Sequence, residues 1–323
     1  MYKYLAVLWL AWQSMAWAGP LDILVVESYH DKYEWDQAYR QGLTEQLGNQ
    51  FTLEFFEMDT KRLPIERHAE MAQKALARIH ALHPALVIMG DDAAVKYLGP
   101  MLDPLGIPGV YLGVNANPRS YNLKNITGVL ERPLLKRSIV FIQTIVPASK
   151  KILVLFDTDI TAKITYQEIF GNKSSLDIGG LQVDLQLCNT LEEWKNAVTQ
   201  ALTNGYQVTI AGLYQTLKRP NGAVADAEEV IAWTSANTPV PLFALWDFAV
   251  GPNKAVGGLV LSGKEQGKAA AVMALQILDG KAKASTMLPT MARQGDFIFS
   301  RKQLARFNLT LPPDIAKQAR MVD

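Results

Sequence analysis

Cysteine is almost missing from this 323-residue sequence: Cys188 is the only one. No internal disulfide can therefore hold the fold, and a thiol at the end of an apolar strand candidate reads as a small buried hydrophobe. An excess of either charge is missing too, with 32 Lys and Arg against 31 Asp and Glu and no run of five like charges. That balance removes the electrostatic footprint of a nucleic-acid binder and excludes charged tails. Past residue 20 no apolar stretch reaches the ~18 residues that a membrane span needs. The motifs HExxH, G-x-S-x-G, G-x-x-x-x-G-K-[ST], CxxC and G-x-G-x-x-G are absent, which takes away the familiar zinc, nucleophile, phosphate and dinucleotide chemistries. The chain is read as a protein without catalytic residues, cofactor or metal, an unfamiliar hydrolase being the distant alternative.

Hydrophobic residues make up 49% and charged ones 20%, a composition that folds. The first 18 residues stand apart. Lys3 is their only charge, residues 4–12 are almost wholly apolar, and Ala16-Trp17-Ala18 is a small-x-small site. This is the three-part pattern of a secretory signal cut after Ala18. The competing reading, a membrane anchor, has too short an apolar run, broken at Gln13 and Ser14. Removing Lys3 leaves 31 basic against 31 acidic residues. No cysteine follows closely enough for a lipid anchor. A neutral, exported, periplasmic protein is expected.

The remainder alternates short apolar runs with amphipathic segments. Strands are expected over 21–26, 51–57, 85–89 and 109–114, with helices over 34–47 and 64–82 and from about 92. The rhythm then restarts: helix 133–145, strand 151–156, helix 162–170, an alternating strand 181–187 suited to an edge, and helix 191–203. Thr190 and Glu193 form a capping-box pair for that last helix. Strand 207–213, helix 222–235, strands 241–245 and 256–261, and a helix 264–278 closed by Gly280 complete the pattern. Such β-α order with continuous apolar strands predicts an α/β fold of two Rossmann-like lobes, their parallel sheets flanked by helices. The first lobe is expected to hold 19–128 plus 257–293, the second 129–250 plus about 294–323. The chain would cross a shared hinge near 127–132, 250–258 and 294–300. Gly257-Gly258 reads as a close backbone approach at that hinge, or as a strand bulge.

In open α/β sheets, ligands bind beyond the carboxyl ends of the strands, and the residues found there are polar or aromatic throughout. Ser28, Tyr29 and His30 follow the first strand, with Trp35 soon after; Asp91 and Asp92 follow the third; Asn115 follows the fourth; Glu131 lies past the first crossing. In the second lobe Asp157 follows strand 151–156, Tyr214 follows 207–213, and Trp246-Asp247 follow 241–245. One such end is an ordinary loop; six make a lined cleft. Asp91-Asp92 could also be a metal or amine site, though Asp92 suits a helix cap and Asp91 the cleft wall. Trp246 could be a packed tryptophan. His30 suits hydrogen bonding better than base catalysis, and His68, His80 and His83 read as solvated. Glu131 fits a ligand amine or a hinge hydrogen bond equally well.

The phrases SYH…YEW (28–35), GDDAA (90–94), GIPGVYLGVN (106–115), ITGVLE (126–131), LWDF (245–248) and VGGLVLSGKEQGKAAA (256–271), in this order and spacing, resemble the periplasmic substrate-binding proteins of ABC transporters. The branch is the one with a type I periplasmic-binding fold; the same module is similar to extracytoplasmic sensor regions of some histidine kinases and diguanylate cyclases. The resemblance implies hinge closure around a small molecule and delivery to a membrane ABC permease. The alternative is signalling to a separate membrane sensor protein. Some members of the branch are associated with aromatic amino acids, which implies a candidate ligand class. The carboxylates at the strand ends disfavour phosphates and multiply charged anions, and leave amino acids, other amines and neutral polar solutes.

Overall fold

The computed structural model describes residues 22–292 and 295–323; the expected signal, residues 1–18, lies outside them. In chain order the first half runs β1 (Ile23–Glu27), α1 (Glu34–Leu47), β2 (Leu53–Glu57), α2 (His68–Leu82), β3 (Leu86–Gly90), α3 (Asp91–Leu102), β4 (Gly109–Val114) and β5 (Ile126–Leu130). It continues with α4 (Leu135–Ile145), β6 (Lys151–Phe156), α5 (Ile160–Phe170), β7 (Ser175–Ile178), β8 (Leu181–Leu187), α6 (Leu191–Thr199), β9 (Val208–Ala211), α7 (Ala227–Asn237) and β10 (Leu242–Ala244). Last come β11 (Gly257–Val260), α8 (Gly263–Leu278), β12 (Thr290–Met291), β13 (Asp296–Phe299), α9 (Arg301–Arg306), α10 (Pro313–Gln318) and β14 (Arg320–Met321). No helix among the described residues is long and apolar enough to cross a membrane.

Two sheets form. The first has the order β12-β5-β4-β3-β1-β2 and is parallel throughout. The second has the order β14-β13-β11-β10-β9-β6-β8-β7, with a parallel centre and antiparallel pairs at β11–β13 and β7–β8. The central strands are buried along nearly their whole length and mostly apolar, because helices cover both faces. In the first lobe α1 and α8 pack on one face, and α2 and α3 on the other. Strand β8 alternates buried and exposed side chains, as expected nearer an edge. Cys188, just past it, is fully buried, and burial pushes its thiol up to about 12. The capping box on α6 is present, with Thr190 accepting from the Glu193 amide and Glu193 accepting in return. Thr190→Ala is therefore expected to cost about 1 kcal/mol, read as a lower denaturation midpoint at unchanged slope.

Three expectations need correction. Strand 257–261, assigned above to the first lobe, belongs to the second sheet, where β11 lies between β10 and β13. Its glycine pair explains the fit. A Cβ at Gly257 would overlap the Ile298 carbonyl, and one at Gly258 would come within 2.6 Å of the Ala244 carbonyl. The close approach is thus inside the sheet, flanked by both neighbours, and not at a hinge. The second passage between lobes comes after Leu261, where α8 leaves to pack on α1. The first also comes later than expected, because residues 126–130 are still a strand of the first sheet. Finally, helix α7 begins at Ala227, capped by Asp226. Residues 219–222 form a turn instead, with Gly222 at φ +82°, after which Val224 bridges back to Lys218.

Candidate functional site

The carboxyl ends of the two sheets face each other, and side chains from both meet across the gap. Lys61, carried past the end of β2, places its ammonium 3.0 Å from the Asp159 carboxylate that follows β6. Tyr33, from the turn after β1, lies 6.0 Å from the ring of Phe248, which follows β10. The Trp246 indole donates to Glu131 at 2.7 Å. At the rim, Lys254 reaches Glu34 across the gap at 3.1 Å.

A small void lies between these walls, lined by Tyr29, Tyr33, Trp35, Lys61, Asp91, Glu131, Leu213, Trp246 and Phe248. Its volume is about 10 Å³, close to the least that holds one water. Outside it the gap widens to a chamber of about 440 Å³, bordered by His30, Lys32, Arg62, Tyr214, Arg219 and Glu228 among others. The aromatic walls are themselves packed. Tyr29 and Tyr33 meet edge-on at 5.1 Å, and Trp246 and Phe248 stack at 6.3 Å with 20° between planes. The Lys61 ammonium sits 4.3 Å from the Tyr29 ring and 5.2 Å from the Tyr33 ring, within cation–π range.

The twelve residues singled out from sequence divide accordingly. Tyr29, Trp35, Asp91, Glu131 and Trp246 line the inner void; His30 and Tyr214 line the outer chamber. Ser28 is taken up by the fold. Its hydroxyl donates to the Gly90 carbonyl at 2.6 Å and accepts from the Ala94 amide, tying β1 to the start of α3. Asp92 does not cap its own helix, whose N-cap is Gly90. It accepts instead from the Asn115 and Ala116 amides at 3.1 and 3.0 Å, and so holds the turn after β4. Asn115 is buried beside it. Asp157 does the same for its lobe, accepting from the Asp159 and Thr216 amides. Asp247 faces a separate recess with Glu34, Gln37 and Arg320. Among the histidines, His68 is half-buried on the Leu63 carbonyl and the edge of Tyr97, not solvated.

Tyr33, Lys61, Leu213 and Phe248 line the void without having been among those candidates. Phe248 stood one residue past Asp247 in the same phrase, and Tyr33 in the first polar-aromatic cluster. Lys61 obeys the same rule: it lies four residues past the carboxyl end of β2 and reaches into the cleft.

The electrostatics follow from burial. Burial and neighbouring Asp92 hold the Asp91 carboxyl up to about 7. Burial raises Asp92 to about 6, against its two backbone amides. Burial, then Asp91, pushes Glu131 well above the carboxylate range. For Lys61 burial acts against the charge, but Asp159, Asp157 and Asp91 together outweigh it and the ammonium stays protonated. Asp91 also adopts a left-handed backbone at φ +74°, a conformation that costs a non-glycine residue of order 1 kcal/mol. It places one carboxyl oxygen 2.8 Å from the Tyr29 hydroxyl.

These shifts fix a sign. A carboxyl whose native pKa exceeds its unfolded value of 3.8 holds its proton more tightly when folded. Its contribution favours folding fully below that value and is lost as pH rises through about 6 and 7. The melting temperature of the protein without ligand is expected to fall between pH 5 and pH 8, with less of a fall in Asp91→Asn. A rise over that interval in both proteins would contradict the assignment. A cationic ligand, which needs the carboxylates ionised, should bind more tightly across the same interval.

Two parallel-centred sheets, three passages between them and a walled gap at their carboxyl ends define a bilobal α/β ligand-binding protein of the type I periplasmic-binding fold. The chain belongs to the family of ABC transporter substrate binding proteins, whose model matches residues 114–323. Solved structures agree on the fold. An ABC-domain protein from Streptococcus pneumonia in complex with L-Trp is 18% identical, with TM-score 0.69 over 94% of this chain and 100% of that one. A conserved domain protein from Vibrio cholerae is 16% identical, with TM-score 0.66 over 94% and 100%. The ligand-free, open structure of CD0873, a substrate binding protein with adhesive properties from Clostridium difficile, is 15% identical, with TM-score 0.64 over 94% and 99%. No functionally curated protein matches in sequence.

Proposed function

We propose that this chain works in the periplasm as a solute-binding protein, capturing a small amine with an aromatic or apolar body between its lobes and presenting it to a membrane ABC permease. One observation carries the reading: the inner void is walled by five aromatic rings yet holds two buried carboxyls, Asp91 and Glu131, against a single cation, Lys61. Rings supply apolar contact and stacking worth ~0.5–1.5 kcal/mol per well-placed pair. The carboxyls receive an ammonium. Lys61 would exchange Asp159 for a ligand carboxylate, which makes an aromatic amino acid the favoured ligand; the L-Trp complex of a protein of the same fold agrees with that choice. A void with room for about one water cannot admit such a molecule, so the lobes part to load it and close on contacts to both walls. A micromolar complex needs about −8 kcal/mol, within reach of a few such contacts.

The test is a thermal-shift screen of the mature protein against amino acids, aromatic amines, sugars, polyamines, dicarboxylates and sugar phosphates. A ligand at 100 times its Kd stabilises by about 2.7 kcal/mol. Hits confined to dicarboxylates or phosphates would refute the amine reading. For delivery, the loaded protein should stimulate ATP hydrolysis by a permease reconstituted in vesicles; binding without stimulation would separate capture from transport.

A further inference from the structure

A second cavity, of about 610 Å³, lies away from the cleft on the α2–α3 face of the first sheet, beside β5. The loops at 117–124 and 284–289 form its sides, and Thr127 ties the second loop to the sheet through the Met287 carbonyl at 3.0 Å. Leu123, Ile126, Leu130, Met287, Leu288 and Pro289 make one wall apolar. Leu288 is 81% exposed and Met291, three residues on, 64%, so apolar surface continues from the groove to the outside.

The charge in this groove is one-sided. Arg119, Lys124 and Arg132 line it, and no acidic residue does among the described residues. Arg132 gives Nη1 to the carbonyls of Val114, Asn115 and Glu131, and its charge also acts on Asp92. A second, independent observation comes from Tyr111, which also lines the groove. Only 1% of it is exposed, and its hydroxyl has no hydrogen-bond partner among the described residues. Its ring lies across Gly128, where a Cβ would overlap it. Burial raises the phenol's pKa, so it remains a donor at neutral pH. A buried donor left unmatched costs on the order of 1–3 kcal/mol, and donors of this kind mark places where an acceptor belongs.

We infer that this groove is a second ligand site, for a small amphipathic anion: a carboxylate on an apolar body, its oxygens taken by Tyr111 and the three cations and its body lying on the wall that ends at Leu288. The chemistry is opposite to that of the cleft, where carboxylates await a cation, so the two sites do not compete.

Isothermal titration of the mature protein tests this with 4-phenylbutyrate, its uncharged analogue 4-phenylbutanol, and inorganic phosphate. The carboxylate should bind saturably at one site, and the alcohol and phosphate at least about tenfold more weakly. Arg119→Glu with Lys124→Glu, both exposed positions, should weaken it by at least about tenfold. Tyr111→Phe, an isosteric change, should weaken it about three- to tenfold, while Asp91→Asn in the cleft should leave it unchanged. Saturable binding lost in Asp91→Asn, equal affinity in the double variant, phosphate binding as tightly as 4-phenylbutyrate, or no saturation by millimolar concentration would each overturn the inference.

Discussion

Lys61→Met is expected to lower the melting temperature by about 5–10 °C and to divide candidate ligands into two groups. Lys61 is 8% exposed and its partner Asp159 a fifth exposed at the side chain. Breaking a buried ion pair by removing one partner costs about 3–5 kcal/mol; the partial exposure of Asp159 and its contacts beyond Lys61 put this case near the lower figure. At about 2–4 °C per kcal/mol for a chain of this size, the shift is large. Binding should respond by ligand class. A zwitterion that places its carboxylate on Lys61 should lose about 10- to 100-fold, since breaking a buried charge contact costs 2–5 kcal/mol. An amine without a carboxylate should bind as well or better, because the wall it meets has become more negative. Unchanged stability together with unchanged affinity for both classes would show Lys61 to be a bystander.

Asp91→Asn should have an effect on binding of similar size and the opposite effect on stability. Asparagine keeps the size of the side chain, can still bond the Tyr29 hydroxyl, and tolerates the left-handed backbone as well as aspartate does. Only the charge goes. For a ligand bearing an ammonium, affinity should fall by about 30-fold or more. The protein itself should melt several degrees higher at pH 8 and gain less at pH 5, because the stability that a carboxyl held near 7 gives up grows as pH rises from its unfolded value toward 7. Tight binding that survives this change, measured by titration at pH 8, would move the ligand's cation elsewhere in the cleft. A melting temperature that falls would instead return Asp91 to a structural role.

Much of the fold was readable along the chain because its strongest signals are local. Continuous apolar runs of four or five residues, such as Ile23–Val26 and Ile152–Phe156, separate cleanly from the amphipathic helices between them. Thr190 and Glu193 act within one turn and were legible for that reason. The short strands β7, β12 and β14 were not, since two to four half-exposed residues carry no period. The cleft could be anticipated because a parallel strand ends where its apolar run ends, and the polar residues that follow have one place to go.

What composition and local pattern determined by themselves is the class: an α/β chain of two lobes, without an excess of charge, whose strand ends carry aromatic rings and carboxylates. Which sheet takes a given strand was decided only by tertiary pairing. β11 is as apolar as any first-lobe strand, but Gly257 and Gly258 let it fit where the Ile298 and Ala244 carbonyls leave no room for a side chain. The division of the aspartates was decided there too. Asp91 and Asp92 are neighbours of identical chemistry, but a left-handed residue turns one toward Tyr29 and the cleft, while the other meets the amides of a loop 23 and 24 residues further along the chain. Side-chain roles of this kind depend on contacts far apart in sequence, and no spacing rule encodes them.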